Sequence, residues 1–171
     1  MIIVSGASGF IGRRLAAQLR AQQPGADLRC LVRENDDAFG QSGVRHLKSN
    51  SVVPIQSDLV ACRGLSGLQS LEIVFHLAAN THTWEPDQRC NDIGTENLIR
   101  AVSPLGPESH FIFTSTVAVM DNRKDLGSPL RPDTPTDCLP MSRYGLSKWR
   151  AEKFLLAEAQ RRGFRLTILR L

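Results

Sequence analysis

Residues 1–19 read MIIVSGASGFIGRRLAAQL, and they carry the strongest indication of the fold. An apolar segment, Ile2-Ile3-Val4, is followed by a turn in which Gly6, Gly9 and Gly12 are spaced G-x-x-G-x-x-G. Glycine permits a turn with positive φ and leaves no Cβ in the way of a bulky neighbour. A helix that begins after such a turn presents free N–H groups and the positive end of its dipole, which together bind anions. The stretch predicts a strand, a turn and a helix that binds the pyrophosphate of a dinucleotide; a tight turn without a ligand is the alternative.

Strand-like and helix-like segments alternate along the rest of the chain. Apolar segments predict strands at residues 2–4, 27–32, 52–55, 73–77, 111–114 and 166–169, and amphipathic segments predict helices at 10–23, 87–102 and 142–162, with a short helix inside 34–51. Ile11, Leu15 and Leu19 recur at helical spacing and predict the buried stripe of the first helix. This alternation favours an α/β fold, a doubly wound, mostly parallel sheet (Rossmann fold) with strand order 3-2-1-4-5-6. Ligands of such sheets bind at the carboxyl ends of the strands.

The composition is that of an ordinary globular protein. The chain has 171 residues, 42% of them hydrophobic, and a formal net charge of +4, which fits one domain with a sizeable core. Basic residues are scattered, so we expect no nucleic-acid partner, and the lack of a long apolar run predicts no membrane span. The cysteines, Cys30, Cys62, Cys90 and Cys138, form no C-x-x-C pair and no metal-ligand pattern. We therefore expect reduced thiols, Cys30 in the core, no metal and a cytoplasmic location.

Two groups of polar residues fall where the fold places a ligand. Tyr144 and Lys148 are spaced i, i+4 and share one face of the last predicted helix. A nearby ammonium lowers the usual pKa of tyrosine, about 10, so the pair suits acid–base chemistry on a hydroxyl or carbonyl, unless it is an ordinary surface pair. Thr114-Ser115-Thr116 directly follows the fifth strand. Its hydroxyls either stabilise charge on the same reacting oxygen or bond the local backbone.

Five stretches together resemble one protein family. They are Gly6-Ala7-Ser8-Gly9-Phe10-Ile11-Gly12, Asp58-Leu59, His76-Leu77-Ala78-Ala79, Asn91-Asp92-Ile93-Gly94-Thr95-Glu96-Asn97-Leu98, and Thr114-Ser115-Thr116 with residues 144–148. In this order and spacing the chain resembles the short-chain dehydrogenase/reductase superfamily, and within it the extended NAD-dependent epimerases and dehydratases that act on nucleotide sugars. The resemblance implies an enzyme that transfers a hydride to or from a small-molecule substrate.

The resemblance also implies roles for matching residues. Tyr144 would be the catalytic acid/base, Lys148 would bond the nicotinamide ribose and tune Tyr144, and Thr116, with Ser115 as second choice, would supply the catalytic hydroxyl. Asn91 matches a structural asparagine of the family, or caps the start of a helix. The remaining residues would bind the pyrophosphate, the adenine or the adenosine ribose, and they are Gly6, Ser8, Gly9, Phe10, Ile11, Gly12, Asp58, Leu59, Ala78, Ala79 and Thr114.

Arg33 departs from the NAD-binding members, which usually carry an acidic residue at the end of the second strand. A guanidinium suits the 2′-phosphate of NADP, so we expect NADP(H) to be favoured over NAD(H), which the neighbouring Glu34 could still serve.

The extended members continue into a substrate-binding domain, so we expect residues 1–171 to be the cofactor-domain portion of a longer protein. They also commonly dimerise, so we expect a homodimer through the helices near 91–102 and 142–162, with Trp149 and Phe154 at the contact. The rival functions are a reductase of another carbonyl, such as a steroid, flavonoid or carrier-bound thioester, and a non-catalytic dinucleotide sensor.

Overall fold

The structure is a computed structural model, and it describes residues 1–33, 38–68, 72–83, 85–120, 127, 129–131, 134, 136 and 139–171. Glu34 and Cys138 lie outside the described residues. The elements in chain order are β1 (Ile2–Ser5), α1 (Phe10–Gln22), β2 (Leu28–Arg33), α2 (Ala38–Ser49), β3 (Pro54–Ser57), β4 (Ile73–His76), α3 (Ile93–Ala101), β5 (His110–Ser115), α4 (Arg143–Arg162) and β6 (Arg165–Arg170). A short 3₁₀ helix, Val117–Met120, follows β5.

The six strands form one sheet with the order β3-β2-β1-β4-β5-β6, and each neighbouring pair is parallel. This confirms the predicted fold class and strand order. Ser5 at the end of β1 is in register with Leu31 and His76, and Ser115 at the end of β5 is in register with Arg170. Because all strands run the same way, their carboxyl ends share one edge, where the segments that resemble the family motifs meet.

Two apolar cores cover the two faces of the sheet. Ile2 and Val4 face the core that α1 and α2 close, and Ile3 faces the core that α3 and α4 close. This alternation follows the two-residue period of a strand. Cys30 is fully buried in the first core, as predicted.

The last helix begins and ends where the sequence predicts. Ser142 is its N-cap, and its Oγ accepts a hydrogen bond from Gly145 N at 2.9 Å. Gly163 ends α4 in the left-handed conformation, with φ of 78°.

Three predictions about local structure are wrong. Ile11 is 46% exposed, because Gly12 and Ala16 are the residues of α1 that face the sheet, while Leu15 and Leu19 lie at the margin of the core. The third strand is shifted by two residues and begins at Pro54, where the missing N–H costs no ladder bond. The third main helix begins at Ile93 instead of residue 87, because the preceding segment turns around a buried asparagine that is described below.

Candidate cofactor and catalytic site

The glycine turn after β1 is closed tightly against its neighbours. Gly6 has φ of 70°, and a Cβ at this position would stand 2.6 Å from Ala78 N, so a side chain is excluded on both counts. A Cβ on Gly12 would stand 2.2 Å from Gly6 O, which lets α1 begin directly on the turn. Gly9 is the N-cap and, in the part of the chain that the structure describes, no side chain accepts a hydrogen bond from the first turn of α1. These N–H groups remain available to an anion at this edge.

A cleft of about 970 Å³ opens along the carboxyl edge of the sheet, a size typical of ligand sites. The glycine turn forms one wall, and the ends of β2, β3, β4 and β5 form the floor. The predicted residues that line it are Gly6, Ser8, Gly9, Phe10, Ile11, Gly12, Arg33, Asp58, Leu59, Ala78, Ala79, Thr114 and Tyr144. Thr116 and Lys148 are not in the lining; they are buried behind Tyr144 and β5.

Thr116 and Tyr144 are joined by a hydrogen bond between their side chains. Thr116 Oγ1 also accepts from Ala118 N at 3.2 Å, so the local-backbone alternative holds together with the contact to Tyr144. Ser115 lines the cleft, and its buried Oγ has no hydrogen-bond partner among the described residues. The structure thus connects Thr116, rather than Ser115, to the phenol.

The pKa of Tyr144 differs from the sequence-based expectation. Burial raises it above the usual value, and the hydrogen bond from Thr116 opposes this effect without overcoming it. Lys148, which was expected to lower this pKa, is not among the groups that shift it. In this form Tyr144 is a protonated phenol at neutral pH, ready to donate rather than accept a proton.

Lys148 is buried, and none of the residues that the structure describes forms a hydrogen bond with its Nζ. Its side chain is 1% exposed, and Nζ lies 4.0 Å from the centroid of the Phe113 ring. Among the described residues Nζ makes no hydrogen bond, and burial lowers its pKa to about 7, although the Glu152 carboxylate opposes the shift. A buried ammonium without partners is costly. Hydroxyl groups of a bound ribose would satisfy it, so the residues present fit a dinucleotide.

Asn91 is part of a buried hydrogen-bond network and is not a helix cap. Its Nδ2 lies 2.9 Å from Asn80 O and 3.0 Å from Ser147 Oγ, and its Oδ1 accepts from Asn80 N at 2.8 Å. Asp92 caps α3 instead. The network fixes the segment after β4 to the turn of α4 that carries Lys148. Sequence spacing pointed to Asn91 but gave no partners for it.

The loop after β3 is held by two residues with different roles. Asp58 Oδ1 accepts from Val60 N at 2.9 Å, and Oδ2 pairs with Arg63 at 2.9 Å, so this carboxylate shapes its own loop as well as lining the cleft. Asn97 Nδ2 donates to Leu59 O at 2.8 Å. Sequence analysis gave Asn97 no role, although it lies in a stretch that carried the resemblance.

Three further features of the described residues concern a membrane-spanning helix, a metal site and disulfides. No helix among them is long and apolar enough to cross a bilayer. Within the same residues, no three His, Cys, Asp or Glu side chains are grouped to hold a metal ion. Cys30, Cys62 and Cys90 are free thiols.

Several known proteins are similar to this chain over almost its whole length. The UDP-glucose 4-epimerase of Vibrio cholerae is 27% identical over 180 residues, which cover 99% of this chain and 50% of the epimerase. The terminal R domain from the myxalamid PKS-NRPS biosynthetic pathway is 29% identical with a TM-score of 0.75, covering 99% of this chain and 48% of that one. UDP-glucuronic acid 4-epimerase from Bacillus cereus, in complex with UDP-glucuronic acid and NAD, is 26% identical with a TM-score of 0.76, covering 99% and 55%.

The chain spans about half the length of these three proteins. The family model described as the NAD dependent epimerase/dehydratase family matches residues 2–171, which is almost the whole chain. The parallel sheet, the glycine turn and the matched residues agree on one assignment: the chain belongs to the NAD-dependent epimerase/dehydratase family.

Proposed function

We propose that this chain is the cofactor-binding part of a nicotinamide-dependent enzyme that transfers a hydride to or from a small substrate, with Tyr144 as the acid/base. The observation that carries the proposal is the placement of Thr116, Tyr144 and Lys148 together beside the cleft that begins at the glycine turn. A bound nicotinamide would supply or accept the hydride. The chain would supply the proton transfer and the binding of the cofactor.

The roles follow from the state of each group. Tyr144, kept protonated by burial, donates its proton to a carbonyl oxygen as that oxygen gains charge. The Thr116 hydroxyl holds the phenol and stabilises the oxygen from the same side. In the reverse direction Tyr144 must first lose its proton, and a charged Lys148 nearby favours the phenolate.

Tyr144→Phe in the protein that contains this chain tests the proposal. The phenol oxygen is removed while the ring remains, so we expect hydride transfer to fall by about 10²–10⁴-fold, with cofactor affinity little changed. Trp149→Phe, one turn further along α4 and outside the cleft lining, is the matched control. A Tyr144→Phe enzyme with full activity would remove the proposed role.

The substrate we favour is a nucleotide sugar. The support is the similarity to the two 4-epimerases, whose names give UDP-glucose and UDP-glucuronic acid. The second candidate is a carrier-bound thioester, and it is supported by the similar identity to the R domain of a PKS-NRPS pathway. Conversion of UDP-glucose with NAD, followed by NMR, and oxidation of NADPH by an acyl-phosphopantetheine thioester, followed at 340 nm, separate the two.

We propose NADP(H) as the preferred cofactor. Arg33 ends β2, is exposed and lines the cleft, where its guanidinium can meet a 2′-phosphate. Arg33→Ala is expected to weaken NADPH binding by about tenfold or more, because a hydrogen bond to a charged group contributes about 1.5–3 kcal/mol, and to leave NADH binding unchanged. Equal or tighter binding of NADH by the wild type, or unchanged NADPH binding by the variant, contradicts this preference.

The homodimer through α3 and α4 remains a prediction. Phe154 is partly buried and packs against the core of its own chain, and its expected place at the contact stays a prediction. Trp149 donates through Nε1 to Thr136 O at 2.5 Å. Ile93 and Leu156 stay exposed on these helices and are better candidates for the contact. Sedimentation equilibrium at micromolar concentration tests it, and a monomer would count against the dimer.

A further inference from the structure

A second buried charge lies on α4 one turn beyond Lys148. Glu152 and Lys148 are spaced i, i+4, and each residue is 1% exposed. Both therefore project from the same face of the helix, towards the sheet. Glu152 is not among the residues that line the cleft.

Arg170 at the end of β6 pairs with Glu152. Its Nε donates to Oε1 at 3.1 Å and its Nη2 donates to Oε2 at 2.9 Å, so the two side chains form a bidentate ion pair. Arg170 is in register with Ser115 of β5, the residue before Thr116. The pair therefore joins α4, the helix that carries Tyr144 and Lys148, to the end of β6, the strand beside the end of β5 that precedes Thr116.

The charges of the same pair contribute to the electrostatic potential at Lys148. An isolated carboxylate one helical turn away favours the ammonium form, whereas a carboxylate already paired with a guanidinium favours it much less. The other titratable groups that face Lys148 are Cys90 and His76, together with Tyr144 on α4. Burial raises the pKa of both Cys90 and Tyr144 and lowers that of His76 to about 3, so all three are neutral near pH 7. The Phe113 ring supplies the remaining contact.

We propose that Glu152 and Arg170 are positioning residues, and that the balance of their charges decides whether Lys148 carries a proton at neutral pH. The catalytic meaning of this balance rests on the proposed function, since a charged Lys148 assists the loss of the Tyr144 proton. Its effect on Lys148 rests on the contacts alone. With the pair intact, Lys148 titrates close to neutral pH, because burial has lowered its pKa to about 7.

Two charge-removing variants give opposite expectations. Glu152→Gln leaves a lone guanidinium near Lys148 and is expected to lower the titration midpoint of Lys148 by about one pH unit or more. Arg170→Gln leaves a lone carboxylate and is expected to raise it by a similar amount. A merely structural role would loosen the site in both variants, admit water and raise the midpoint in both.

The midpoint is measurable by NMR on protein labelled with ¹³Cε-lysine, without cofactor or substrate. The chain has four lysines, Lys48, Lys124, Lys148 and Lys153, and the signal lost in Lys148→Met identifies the one of interest. Opposite shifts support the proposal, and shifts of the same sign, or none, overturn it. If Glu152→Gln does not fold, Arg170→Lys, which keeps the positive charge, replaces it. The proposal then requires that the titration midpoint of Lys148 rises in Arg170→Gln and does not change in Arg170→Lys. Equal midpoint shifts in these two variants overturn it. Since the readout needs no turnover, failure here is distinguishable from failure of the proposed function.

Discussion

Lowering the pH from 7.5 to 5.0 is expected to destabilise the folded chain by about 2 kcal/mol through His76 alone. His76 is fully buried at the end of β4, between Ser5 and Thr95. Thr95 Oγ1 donates its own hydrogen to Asn91 O at 2.6 Å, so it accepts from His76 Nε2 at 2.8 Å. His76 Nδ1 then accepts from Ser5 Oγ at 2.5 Å, and the imidazole is neutral.

The magnitude follows from the difference in proton affinity between the two states. Burial, aided by the nearby Lys148 ammonium, lowers the pKa of His76 from 6.5 to about 3 in the folded chain. Below pH 6.5 the unfolded chain binds a proton that the folded chain does not bind. Each pH unit therefore favours unfolding by about 1.4 kcal/mol, until the loss ends near the folded pKa. Over the 1.5 units from 6.5 to 5.0, this gives about 2 kcal/mol.

Urea unfolding followed by circular dichroism, at pH 7.5 and pH 5.0, measures the effect. His76→Gln is the matched variant, because its amide can still bond Ser5 and Thr95 but does not titrate. Lys148, whose pKa of about 7 lies at the top of this interval, adds a smaller loss in the same direction, which the variant shares. The drop in the wild type should exceed that in the variant by about 2 kcal/mol. Equal drops in the two proteins would show that protonation of His76 does not control this loss of stability.

Two further predictions concern the walls of the cleft. Gly12→Ala places a Cβ 2.2 Å from Gly6 O, so we expect a loss of about 1–3 kcal/mol in stability and weaker NADPH binding. Gly25→Ala is the control, because a Cβ there has nothing within 4 Å and should change neither quantity. Thermal unfolding and NADPH titration measure both, and equal behaviour of the two variants would contradict the close contact. Asn97→Asp removes the donor to Leu59 O and should lower the stability of the folded chain by about 1–3 kcal/mol while weakening NADPH binding. Asn50→Asp, at an exposed position, is the control. An unaffected Asn97→Asp protein would show that the loop after β3 does not depend on this bond.

The features that sequence analysis predicted correctly are those set by local patterns. The glycine spacing, the strand–helix alternation and the bounds of the last helix depend on neighbours a few residues apart, so the fold class and strand order followed from them. The spacing of Tyr144 and Lys148 likewise gave their shared helix face.

The features that sequence analysis missed depend on partners that the sheet brings together. His76 bonds Ser5, which is 71 residues away, and Arg170 bonds Glu152 across two different elements. The pKa of Tyr144 is raised because the site is buried, and burial of one side chain is not encoded in its spacing from another. Ile11 was misplaced for a related reason, since the buried side of α1 carries Gly12, which packs closely on the Gly6 carbonyl, and this contact is not visible in the spacing of apolar residues.

We propose that this edge of the sheet binds a nicotinamide dinucleotide and that the Lys148 ammonium, which bonds no described residue, meets its ribose. Isothermal titration of NADPH into the wild-type chain and into Lys148→Met tests it directly. We expect saturable binding at one site, weakened about tenfold or more in the variant, because a hydrogen bond to a charged group contributes about 1.5–3 kcal/mol. Absence of saturable binding of both NADPH and NADH, or equal affinity of the two proteins, would contradict it.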